Sequence, residues 1–139
     1  MSIVVDASVL VVLVSGDPRR EAAQAHLRRW TADDEDIHAP TLVPYEVANG
    51  LTRLVAGGLF PSERTSQAWQ TLLSLPITYH PLMSGGDRVV EVALEMRRQT
   101  AYDAAYIVLA QQLGAELWTF DGPLARNAAG LDFPVQLMR

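Results

Sequence analysis

Neither cysteine nor lysine occurs anywhere in the 139 residues. Without cysteine there are no disulfides, no thiolate nucleophile and no cysteine-held zinc or iron–sulfur centre. The absence fits a reducing compartment. Without lysine, all 11 basic residues are arginines, so any basic side chain that grips a phosphate does so with a planar guanidinium fork. Long hydrophobic runs are missing as well. The longest near the start, Val9 to Val14, is too short to span a bilayer. It follows Asp6 and no arginine, whereas a secretory leader opens on basic residues. These features lead us to expect a cytoplasmic protein with no membrane segment. The net charge of −5 argues against a protein that coats nucleic acid by charge alone. It leaves room for an enzyme that meets nucleic acid through metal ions.

Hydrophobic residues make up 49% of the chain and charged residues 19%, which is the balance of a globular core and not of a disordered segment. The length suits a single domain spanning residues 1–139. Short apolar runs alternate with segments of helical period. Strands are predicted over Ile3–Val5, Ile37–Ala39, Ile77–His80, Glu116–Phe120 and Val135–Met138. Helices are predicted over Ser8–Leu13, Arg19–Trp30, Pro44–Ala56, Pro61–Leu73, Asp87–Gln99, Ala101–Leu113 and Gly122–Ala129. Asp33 to Asp36 reads as an exposed acidic loop. This alternation predicts an α/β fold with a parallel sheet covered on both faces. Ligands of such folds sit beyond the carboxyl ends of the strands. Asp6 and Asp121 each directly follow a predicted strand, so parallel pairing would bring both carboxylates to the same edge.

Each acid also has an ordinary explanation. Asp6 and Asp121 precede helices and suit N-caps. Glu46 stands in a first turn, where negative charge complements the helix dipole. Thr100-Ala101-Tyr102-Asp103 matches a capping box. Helical projection weakens these readings. Around Ala101–Leu113, Gln111 and Gln112 mark one side with Ala104 and Val108, and Asp103 falls on the other with Tyr106, Ile107 and Ala110. A carboxylate on a buried side is costly unless paired or bound to a cation. Along Pro44–Ala56, Val47, Leu51, Leu54 and Val55 form an apolar face, and Glu46, Asn49 and Arg53 share the polar one. That polar face is either solvated surface or the wall of a cleft. Converging carboxylates repel one another unless a cation compensates. All-oxygen donors point to Mg²⁺ or Mn²⁺. His26, His38 and His80 have no ligand spacing and read as structural or surface residues. Trp69, Leu72 and Leu73, with Leu59 and Phe60 before them, read mainly as core, with a share left for a partner groove.

Four segments carry a resemblance. They are Val4-Val5-Asp6-Ala7-Ser8, Pro44-Tyr45-Glu46-Val47-Ala48-Asn49, Tyr102-Asp103-Ala104-Ala105-Tyr106 and Trp118-Thr119-Phe120-Asp121. In order and spacing the chain resembles the PIN-domain ribonucleases, and within them the toxin subunits of VapBC-type toxin–antitoxin systems. The resemblance implies a three-layer α/β/α sandwich. It implies an acidic quartet of Asp6, Glu46, Asp103 and Asp121, with Ser8, Asn49 and Thr119 as accessory polar positions. It also implies endonucleolytic RNA cleavage with Mg²⁺ or Mn²⁺ by a metal-activated water, inhibition by a small cognate antitoxin, and a homodimer. Arg53 is a candidate phosphate contact. Some relatives carry a further acid after the fourth carboxylate, where this chain has Gly122-Pro123-Leu124, so one metal or two stays open. A haloacid-dehalogenase-like phosphatase would need an acid where Ser8 stands, and it and a receiver domain both want a lysine. A non-catalytic PIN-like module that binds a small antitoxin is the remaining alternative.

Overall fold

A computed structural model describes residues 2–98 and 100–139. The elements run β1 (Ser2–Val5), α1 (Ala7–Val14), α2 (Arg20–Ala32), β2 (Asp36–Pro40), α3 (Val43–Ala56), α4 (Thr65–Ser74), β3 (Ile77–His80), α5 (Gly86–Glu95), α6 (Tyr102–Leu113), β4 (Glu116–Thr119), α7 (Gly122–Ala129) and β5 (Val135–Leu137). A single sheet of order β3-β2-β1-β4-β5 is parallel throughout. Parallel pairing requires crossovers, and the helices that supply them cover the sheet in a three-layer α/β/α sandwich. Ile3, Val4 and Val5 of the central strand are all buried, which is why β1 reads as a continuous apolar run instead of an alternating one. Helix α1 packs on α2, α3 and α4, while α6 packs on α5 and on strands β1, β2 and β4. Among the described residues no helix is long and apolar enough to cross a membrane.

The predicted elements are all present, with four departures. The segment predicted as one helix from Pro61 to Leu73 is a 3₁₀ turn, Ser62–Arg64, followed by α4. Helix α5 stops at Glu95, not at Gln99, and Gln99 lies outside the described residues. Arg97 takes the left-handed conformation at φ 57°. Its N–H bonds Leu94 O, and the Arg98 N–H reaches back to Ala93 O. That is the hydrogen-bond pattern of a Schellman stop, made here without the glycine that usually announces it. The capping box at Thr100 is not formed: Ala101 occupies the N-cap of α6 and no side chain caps it. Finally, α6 has no apolar-against-polar division. Ala104 and Val108, which projection put on the solvent side, are as buried as Ile107 and Ala110. The cause is packing on both sides, the sheet on one and α5 on the other.

Of the apolar residues around α4, Phe60 and Leu72 are core, whereas Leu59 and Leu73 are exposed and Trp69 lines a groove with α3. The three histidines all pack against other rings. His26 packs among Trp30 and Trp118. His38 Nδ1 and His80 Nε2 stand 2.8 Å apart on neighbouring strands.

Candidate active site

The sheet order reverses beside β1, since β2 and β3 extend one way and β4 and β5 the other. Ligand crevices of parallel sheets open at such a point. Val5 pairs with Trp118, so the next residues, Asp6 and Thr119, meet at the carboxyl edge of both strands. Asp6 is 6% exposed and Thr119 is fully buried. Asp6 caps α1 by accepting the Val9 N–H at Oδ1, 3.3 Å. The Ser8 hydroxyl donates to the same oxygen at 2.5 Å, and the Thr119 hydroxyl donates to Oδ2. Each hydroxyl in turn accepts a backbone N–H at 2.9 Å, Ser8 from Phe120 and Thr119 from Asp121. A hydroxyl has one proton to give. With both protons directed at Asp6, the 3.3 Å approach of Ser8 Oγ to Thr119 Oγ1 is a contact and not a bond. Even with three donors, burial raises the Asp6 carboxyl from 3.8 to about 6, and the nearby Asp121 charge adds to the rise.

Asp121 caps α7, its Oδ1 accepting the Leu124 N–H at 3.1 Å. Asp6 and Asp121 are thus both N-caps, and both line one cavity. Asp103 stands in the first turn of α6 with its side chain one-third exposed. Arg98 Nη2 lies 3.8 Å from its Oδ2. Burial raises the Asp103 pKa, Arg98 opposes the rise and Asp121 reinforces it. Glu46, in the first turn of α3, accepts the Tyr106 hydroxyl at 3.2 Å. Burial raises its pKa too, against the Tyr106 hydrogen bond, with Asp103 adding and Arg53 opposing.

All four carboxylates line one cavity of about 400 Å³, together with Ser8, Arg53, Tyr106 and others. Thr119 sits behind Asp6 and holds it. Asn49 is exposed and does not line the cavity; Gly50 does, with Glu46, Arg53 and Leu54. At 100° per residue, the wall is rotated one position from the polar face read in the sequence. A Cβ on Gly50 would stand 2.8 Å from Val11 Cγ2, so this residue lets α3 lie close against α1. Tyr106 and Arg19 were not singled out from the sequence. Arg19 is held by Asp17 through two 3.0 Å bonds and lies over the Phe120 ring at 4.8 Å. Its signal was the Asp17-Pro18-Arg19 turn, which looks like any surface turn.

The family model described as PIN domain matches residues 3–130 of this chain. The chain belongs to the PIN-domain family. Ribonuclease VapC3 of Pyrobaculum aerophilum is 31% identical over 140 residues, covering 96% of this chain and 100% of that relative. Among solved structures, VapBC2 of Rickettsia felis, bound to a DNA fragment from its promoter, superposes with a TM-score of 0.74 at 14% identity, covering 100% of both chains. Mycobacterium tuberculosis VapC20, described as a sarcin-ricin loop cleaving toxin, gives 0.66 at 22%, covering 92% of this chain and 95% of its own. At those identities the two structures attest the shared fold.

In this PIN domain the donor set suits a hard divalent cation. Four carboxylates and no thiol or paired histidine surround the cavity, and three of them are held above the ordinary carboxylate range by burial and mutual repulsion. Among the described residues no three such side chains converge tightly enough to enclose a bare ion. Tyr106→Phe removes the donor to Glu46. It is expected to destabilise the protein by about 1 kcal/mol at neutral pH, and by less at pH values where Glu46 is protonated; denaturant titration at both pH values checks this.

Proposed function

We propose that this PIN domain is a Mg²⁺- or Mn²⁺-dependent endoribonuclease, the toxin of a toxin–antitoxin pair, acting in the cytoplasm and held inactive by a small antitoxin. The observation that carries the reading is the buried Asp6, fixed by Ser8 and Thr119 at the rim of a cavity shared with Glu46, Asp103 and Asp121. The ribonuclease name of the Pyrobaculum relative and the VapBC2 assembly support the substrate class and the antitoxin. A homodimer is the expected state of the free toxin.

Asp6, Asp103 and Asp121 are the residues to hold the ion. When bound, a divalent cation supplies positive charge against the scissile phosphate and lowers the pKa of a water. The residues do the rest. Ser8 and Thr119 keep the Asp6 carboxylate at one orientation, so no side-chain freedom is lost when it binds. Glu46, with its raised pKa, is placed to take a proton from the attacking water near working pH. Tyr106 fixes the Glu46 carboxylate. Arg53, on the same cavity wall, offers a cation to the phosphate.

The test uses purified, partner-free protein and single-stranded RNA, with Mg²⁺, with Mn²⁺ or with chelator. Cleavage is expected with either ion and is lost on chelation. Asp103→Asn is expected to slow it by on the order of 10²-fold or more. If Asp103→Asn cleaves like the wild type, the mechanism is wrong. A folded protein inert under every condition would instead be a non-catalytic antitoxin-binding module.

A further inference from the structure

Helix α6 separates two cavities. Asp103 and Tyr106 face the acidic one. Tyr102, Ala105, Leu109 and Gln112 face a second cavity of about 380 Å³, which is within the range of small-ligand sites, roughly 300–1,000 Å³. Its far walls are the Pro40–Leu42 turn and the end of β3 with Pro81 and Leu82. The lining is mostly apolar, with four polar side chains, Thr41, His80, Tyr102 and Gln112. His80 Nε2 is committed to His38 Nδ1, which leaves its Nδ1 for another partner. Gln112 lies across Gly85, where a Cβ would come within 2.6 Å of its Nε2. A mostly apolar cavity of this size with a few polar side chains has the chemistry to accept a nucleobase.

Tyrosines mark the way in. Tyr102 is 61% exposed and is the neighbour of Asp103; Tyr45 is 77% exposed and is the neighbour of Glu46. Tyr102 lines the second cavity and directly precedes Asp103 on α6, and Tyr45 directly precedes Glu46 on α3. Side-chain charge supplies little of the hold on the substrate: against four carboxylates the cavity wall has two arginines, Arg19 and Arg53. The chain carries −5 overall and presents four carboxylates at the site, both of which repel a phosphate backbone. Stacking on an aromatic ring attracts a base without help from charge, and it is strongest where bases are unpaired.

We propose, building on the ribonuclease reading above, that Tyr102 and the cavity behind it hold an unpaired RNA base beside the scissile phosphate. Tyr45 serves as a second stacking surface at the Glu46 side. The helix that carries Asp103 then also selects the strand: its acidic face meets the phosphate and its Tyr102 face meets the base.

The test is a binding measurement that does not depend on cleavage. The probe is a short single-stranded RNA carrying 2-aminopurine, added to the Asp6→Asn protein with Mg²⁺ so that the probe stays whole. Fluorescence quenching on binding is expected. Adding Tyr102→Ala should weaken affinity about tenfold and abolish the quench, since stacking is worth roughly 1–3 kcal/mol per base; Tyr102→Phe should keep both. Tyr45→Ala should weaken affinity by a smaller factor. The proposal is overturned if the reference protein does not quench the probe. It is also overturned if Tyr102→Ala binds RNA as tightly as the reference. Tyr102→Ala that converts a dimer to monomer in sedimentation, with RNA affinity unchanged, would make this face an interface between copies. Failure of the ribonuclease reading looks different: wild-type protein would then not cleave, while the Tyr102 dependence of binding persisted.

Discussion

Asp6→Asn is expected to abolish RNA cleavage and, in the metal-free protein at neutral pH, to raise the melting temperature. The first effect follows from the role proposed for Asp6 in holding the ion. The second follows from burial. The Asp6 carboxyl titrates at about 6 in the fold against 3.8 ordinarily. A folded-state pKa above the unfolded value means that the fold favours the protonated acid. Its contribution is therefore fully present below pH 3.8 and is lost as pH rises through 6. Above that, an uncompensated buried carboxylate costs roughly 3 kcal/mol. Asparagine carries no charge, and the surrounding network can absorb it. Its Oδ1 keeps the bonds from Ser8 and Val9. Its amide donates to Thr119, whose proton turns to the Ser8 oxygen 3.3 Å away. The gain is expected to be several degrees at neutral pH, for a stabilisation of about 1–3 kcal/mol. It should shrink below pH 5, where Asp6 is neutral in the wild type as well. Magnesium should narrow the gap by stabilising only the wild type. Calorimetry at two pH values, with and without Mg²⁺, measures all of this. A lower melting temperature for the metal-free variant at neutral pH would mean that the carboxylate is not the burden its burial implies.

Asp6 and Asp121 were legible because a strand end is a local feature. An apolar run followed by an acid places that acid at the sheet edge, and parallel pairing does the rest. That both also act as N-caps shows why the capping argument could not decide against a site. Asp103 lines the same cavity as the other three acids, though not for the reason its projection gave. Projection assumed one dry side of α6, whereas the helix is covered all round and Asp103 escapes full burial only because it lies in the first turn. The one-step rotation that exchanges Asn49 for Gly50 on the cavity wall depends on how α3 leans on α1. No period in the sequence encodes that angle. The Arg97 stop was invisible for a related reason. Arg97, a non-glycine residue, takes the left-handed conformation at the helix end, so no glycine marks the stop. The His38–His80 pair and the Tyr106–Glu46 bond join residues 42 and 60 positions apart. Only the strand order and the α3–α6 approach bring them together.

Thr119→Val separates what Asp6 does from how it is held. The two side chains have nearly the same shape, so the core around Thr119 should refill. The hydroxyl, however, serves two buried groups at once, donating to Asp6 Oδ2 and accepting the Asp121 N–H at 2.9 Å. Its removal leaves a carboxylate oxygen without that donor and a backbone N–H unpaired. Each loss costs about 1–3 kcal/mol, so the variant is expected to be destabilised by roughly 2–5 kcal/mol in denaturant titration. The Thr119 bond holds the Asp6 pKa down, so without it the carboxyl titrates higher still. The destabilisation should therefore grow as pH rises, and the acid limb of the cleavage profile should move to higher pH. The same substitution in the Asp6→Asn background meets no charge, and there it should cost less. A double-mutant cycle is expected to show coupling of about 0.5–3 kcal/mol at neutral pH, shrinking below pH 5 where Asp6 is protonated. Simple additivity at neutral pH would mean that Thr119 is only a packing residue. Coupling that fades with protonation would show that the Thr119 hydroxyl favours and aims the charged Asp6 carboxylate against the cost of its burial, the condition on which a cation site at this sheet edge rests.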